Sequence, residues 1–80
     1  MPTVLRAQGF DIKIHFNDHA PAHVHAIKGQ GEAVITLDPL MALRVWRMNR
    51  RDLSKAKGIV RENHGMLIDN WRAIHGGKGS

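Results

Sequence analysis

The segment Asp18-His19-Ala20-Pro21-Ala22-His23-Val24-His25 places three histidines in seven positions, and with His15 it gathers four of the chain's six histidines into eleven consecutive residues. Imidazole is the side chain best suited to ligating a transition metal or moving a proton near neutral pH. If Ala22 to Lys28 is extended, His23 and His25 leave the same face roughly 7 Å apart along the backbone. His19 then curls back from the loop as a third ligand, with Pro21 stiffening the return, and Asp18 or His15 completes the shell or orients a ligand. Three imidazoles around an ion with an open position would polarise a water and support hydrolysis. The chain has no cysteine, so such an ion, zinc or another divalent transition metal, would be held by histidine and carboxylate alone. The same imidazoles would equally serve phosphate contact or metal-free proton transfer, or stand as ordinary side chains on a wet strand. No glutamate close in sequence offers an evident general base, which weighs against a hydrolase.

A second feature is charge. The net charge is +5 with histidines neutral, and residues 44 to 61 hold Arg44, Arg47, Arg50, Arg51, Lys55, Lys57 and Arg61 against the single acid Asp52. On a helix, Arg50, Lys57, Arg61 and Arg72 fall along one flank, away from Glu62 and Asp69. A flank of that kind tracks phosphates without reading sequence, or meets an acidic protein surface. Alternatively, the long basic stems cover the edge of the core. The four aromatic residues, Phe10, Phe16, Trp46 and Trp71, are assigned to the core, which disfavours a base-stacking RNA binder.

The elements that position these residues are read from period. Ile12, Ile14 and Phe16 alternate with Lys13 and His15 as a first strand. Ala22 to Lys28 is a second, pointing Ala22, Val24 and Ala26 one way and His23, His25 and Ile27 the other. Gly29-Gln30-Gly31 supplies a turn, Glu32 to Leu37 a third strand, and Asp38-Pro39 an interruption. Leu40 to Met48 is a short fourth strand. Asn49 is then an N-cap, with Asp52 favouring the helix start. Leu53, Ala56, Val60, His64, Leu67, Trp71 and Ile74 recur every three or four residues as one apolar stripe. The stripe keeps its phase across Gly58 and Gly65, so the expectation is one continuous helix ending at Gly76-Gly77, with His64 hydrogen-bonded at the core edge.

The resulting fold class is α+β: a small antiparallel meander of three or four strands packed against one long C-terminal helix. Residues 1–76 form a single domain and 77–80 a flexible tail. A chain of this size buries only about 60% of its unfolded surface, so a deep enclosed pocket is not expected. Met1-Pro2-Thr3-Val4-Leu5-Arg6 lacks the apolar core of a signal peptide, and no stretch is long enough for a membrane span. The expectation is a cytoplasmic protein with no membrane partner. An unpaired sheet edge would allow a homodimer.

Gly9-Phe10, Asp18-His19, Pro21, His23-Val24-His25, Gly31-Glu32-Ala33, Leu37-Asp38-Pro39 and the late Leu67 and Trp71, with Met1 to Arg6 before them, together resemble the small bacterial family called domain of unknown function 4160. The resemblance covers nearly the whole chain up to about His75. The family's D-H-x-P-P-H-V-H signature is matched except at Ala22, where a second proline is usual. The departure removes no imidazole. The resemblance implies no activity. It does imply a protein partner, because members are often encoded beside another small domain in an arrangement similar to toxin–antitoxin pairs.

Two functions follow as expectations. The first is a bacterial interaction or regulatory module, one half of a toxin–antitoxin-like pair, that engages nucleic acid or an acidic protein through Arg44, Arg47, Arg50, Arg51, Lys57, Arg61 and Arg72. The alternative is a metal-dependent hydrolase or nuclease centred on His19, His23 and His25, with His15 or Asp18 in support.

Overall fold

The computed structural model describes residues 3–15 and 19–75. Five strands come first: β1 (Thr3–Ala7), β2 (Phe10–Lys13), β3 (His23–Lys28), β4 (Gly31–Leu37) and β5 (Leu40–Trp46). Two helices follow, α1 (Arg50–Glu62) and α2 (His64–Ile74). The strands form one sheet in the order β1-β2-β3-β4-β5 with every neighbour antiparallel. The α+β meander is therefore as expected, with one strand more and one helix break more than the periodicity suggested.

Short turns fix the register. Ala7 pairs with Phe10, leaving Gln8 and Gly9 as a two-residue loop with φ of 53° and 84°, the doubly positive pattern of a type I′ hairpin. Lys28 pairs with Gly31 across Gly29-Gln30, where Gly29 takes φ 58°. Leu37 pairs with Leu40 across Asp38-Pro39, whose peptide bond is cis. Thr36, buried at this turn, accepts from the Met41 N–H at 3.2 Å, and its hydroxyl also reaches the Pro39 and Met41 carbonyls. Gly31 allows a close approach: a Cβ there would stand 2.4 Å from the Arg47 carbonyl oxygen.

One sheet face carries the core. Phe10, Ile12, Ile14, Val24, Ala26, Ala33, Ile35 and Leu37 are buried, and Ala56, Ile59, Val60 and Leu67 close over them from the helices. Asn49 caps α1, its Oδ1 accepting from the Asp52 N–H at 2.8 Å. Lys28 reaches from the sheet to that first turn, its Nζ donating to Asp52 Oδ1 at 3.2 Å.

The helix is not continuous. At Asn63 (φ −118°, ψ 23°) the N–H is shared between the Ile59 and Val60 carbonyls, at 3.1 and 3.2 Å, while the side-chain amide also donates to Ile59 O at 2.8 Å. Asn63 closes α1, and its carbonyl, accepting from Leu67 N–H at 2.9 Å, opens α2. Asparagine in a helix interior competes with the backbone in this way, and Gly65 adds a weak helix former next to it. His64 secures the break through its Nε2, hydrogen-bonded to the Leu37 carbonyl. This is the core-edge role expected of it. The apolar stripe survives because α2 restarts on the next residue. Among the described residues, no helix is long and apolar enough to cross a membrane.

Trp46 departs from the core assignment, being 60% exposed. The cause is a register shift between Val34 and Ile35, which pair with Arg44 and Ala42 and leave Leu43 as the extra residue. A bulge reverses the alternation beyond it, so Arg44 and Trp46 leave the face they would share with Leu40 and Ala42. Phe10 is in the core as expected and Trp71 packs half-buried against it. Phe16 and the tail at 77–80 lie outside the described residues.

Candidate functional site

Opposite the helices, two cross-strand rows of side chains run over the sheet. One joins Lys13, His25, Val34 and Arg44, and the other Asp11, Ile27, Glu32 and Trp46. Strand period 2 puts both rows on one face. The two-residue turn at Gly29-Gln30 pairs Ile27 with Glu32, and so sets Glu32 on the diagonal from His25. Such diagonals lie within reach of long side chains.

That diagonal is occupied by a bond. His25 Nδ1 donates to Glu32 Oε2 at 2.8 Å, with His25 only 12% exposed at its side chain and Glu32 42%. A carboxylate only accepts, so Nδ1 is assigned a proton. His15, just beyond the end of β2, brings its ring edge-on to His25 with centroids 3.9 Å apart. One ligand atom from each of His15, His25 and Glu32 lies within 4.8 Å of the others.

A line of rings leads away from this group. His23 stands 5.3 Å from His25 and 5.2 Å from Trp71, and Trp71 stacks on His75 at 3.8 Å with planes 28° apart. His23 Nδ1 donates to the Pro21 carbonyl at 2.8 Å, which orients the ring. On the other side, His25, Glu32, Val34, Arg44 and Trp46 wall a cleft of about 180 Å³. The face therefore offers a ligand set of two imidazoles and one carboxylate, with a cationic guanidinium and an indole across a shallow cleft.

The histidine residues singled out by sequence divide. His25 and His15 come together, whereas the exposed His19 is outside the group and His23 borders it through ring contact with His25. Asp18 lies outside the described residues. Glu32, seven residues from His25, was the missing partner, and the hairpin turn was the signal that carried it. The basic residues also divide. Arg44 is on the histidine face, and Arg47 follows β5 with its guanidinium donating to Gln30 Oε1 at 3.0 Å. Arg50, Arg51, Lys57 and Arg61 belong to α1, and Arg72 to α2. The single flank drawn through Arg50, Lys57, Arg61 and Arg72 assumed one helix; its first three members belong to α1 and Arg72 to α2.

None of the curated proteins and none of the solved structures compared with this chain matches it. The family model described as domain of unknown function (DUF4160) matches residues 9–72, a span that runs from the start of β2 into the last turn of α2 and contains His15, His25 and Glu32. With most of its length and four of its five strands inside that match, the chain belongs to the DUF4160 family.

Proposed function

We propose that this chain is a partner-binding module of a toxin–antitoxin-like pair and that β5 is the strand through which it pairs with a small acidic protein. The observation that carries the reading is the contrast between the two sheet edges. β5 exposes Met41, Leu43, Val45 and Trp46, with Leu43 at 58% and Trp46 at 60%. On β1 the side chains of Val4, Leu5 and Ala7 are half-covered and the exposed Arg6 is paired with Asp11 at 3.2 Å. An edge strand presents unpaired backbone groups, and protein partners use them by adding a strand. Large apolar side chains flank that edge on both faces of the sheet, and tryptophan and arginine are the residue types that most often dominate the energy of such an interface. Arg44 and Arg47 set the sign of the partner. A second copy, itself carrying +5, is a poorer match than an acidic strand.

The test uses a synthetic acidic peptide of strand-forming sequence, with affinity followed by calorimetry across a salt series. Leu43→Asp and Arg44→Glu are expected to weaken binding at least tenfold each, and hydrogen exchange on complex formation to slow in β5. Unchanged affinity in both variants overturns the reading. Binding of RNA or duplex DNA that falls steeply with salt and is lost in Arg50→Ala, Lys57→Ala and Arg61→Ala would replace it with the nucleic-acid reading.

A further inference from the structure

We infer that His15, His25 and Glu32 constitute a binding site for one divalent first-row transition ion. The inference is independent of the partner reading and rests on the geometry of the open sheet face. The three donors come from three consecutive segments of the meander: the residue run beyond β2, the middle of β3 and the start of β4. Backbone pairing of Lys13 with His25, and of Ile27 with Glu32, holds these segments in place before any ion arrives. Little ordering is left for the ion to impose.

The distances fit. Four-coordinate zinc binds histidine nitrogen and carboxylate oxygen at about 2.0–2.2 Å, which sets neighbouring donors roughly 3.3 Å apart. Here the donor atoms already lie within 4.8 Å of one another, so small side-chain rotations close the shell. His25 Nδ1, which holds its proton against Glu32 Oε2 at 2.8 Å, becomes a donor once that proton moves to Nε2 or leaves to solvent, and the pair then opens slightly. The donor chemistry selects the ion. Two imidazoles and a carboxylate without thiolate suit zinc, iron(II) and cobalt(II) over copper(I), and too few oxygens are present for calcium. Three protein donors also leave at least one coordination position, and His25 and Glu32 are shared with the cleft that Val34, Arg44 and Trp46 line. A water or a small ligand on the ion would border that cleft. The ligand set differs from the H-x-x-x-H-x-H spacing in two of its three members, because cross-strand register rather than sequence proximity brings the donors together.

The decisive experiment is titration of metal-free protein with cobalt(II), followed by visible absorption, in parallel with zinc titration followed by NMR of histidine side chains. The expected result is saturable one-to-one binding, with shifts centred on His15, His25 and the residues around Glu32. His15→Ala, His25→Ala and the near-isosteric Glu32→Gln should each weaken it at least tenfold, while His19→Ala leaves it unchanged. Thermal unfolding of each metal-free variant separates lost ligation from lost fold, and Glu32→Gln retains the side-chain volume should either alanine variant fail to fold. Wild-type protein should gain thermal stability with zinc, and Glu32→Gln should not. Unsaturable binding, binding that survives Glu32→Gln in a folded variant, or binding abolished by His19→Ala overturns the site.

Discussion

Single atoms decide several outcomes in this molecule. At Gly31 the first carbon of any side chain would meet the Arg47 carbonyl, which is backbone and cannot swing away. Gly31→Ala is therefore expected to cost about 1–3 kcal/mol, the range of forced overpacking, read as a lower urea midpoint. Ile35, fully buried under the helices, should cost about 3–4 kcal/mol as Ile35→Ala. The legible and illegible parts of the site also separate at this scale. His25 was visible because H-x-H on an extended segment fixes a face. Glu32 was not, since its partnership depends on how many residues the Gly29-Gln30 loop leaves unpaired. Trp46 was assigned to the wrong side because a single extra residue, Leu43, reverses the pleat beneath it.

The elements were legible in proportion to their periodicity. β2 alternates throughout and β3 and β4 over their first residues, and α1 announces itself through Asn49 and its apolar stripe. β1 was missed because Thr3-Val4-Leu5-Arg6-Ala7 lies at an edge, carries a register irregularity between Thr3 and Leu5, and is joined to β2 by Gln8, a residue that rarely marks a type I′ turn. The helix break was invisible to period because it preserves phase. Two opposing changes test what holds it. Gly58 sits inside α1 with no atom within 4 Å of its missing Cβ, so Gly58→Ala should stabilise the fold by about 1 kcal/mol. His64→Ala should destabilise it by about 1–2 kcal/mol by leaving the Leu37 carbonyl without that imidazole. Both are read from chemical denaturation with an unchanged slope.

At the scale of the whole molecule, sheet and helices are also tied by charge. Lys28 bonds Asp52 at 3.2 Å and also lies 5.5 Å from the Phe10 ring centroid. With both partners partly exposed, a double-mutant cycle should return less than about 1 kcal/mol, shrinking in high salt. The layers are therefore held mainly by the shared apolar core, whose members sequence period identified well on both sides. What period could not supply was which way the remaining surface faces. The chain's two tryptophans have different neighbours, Trp46 in the cleft beside Glu32 and Trp71 between His23 and the stacked His75. Indole emission depends on what packs against the ring, which makes Trp71 a built-in optical probe. In a Trp46→Phe protein the remaining fluorescence should change in both His75→Ala and His23→Ala, each of which removes a ring that the indole meets. The line of rings would then report, without any added dye, on what changes at His23.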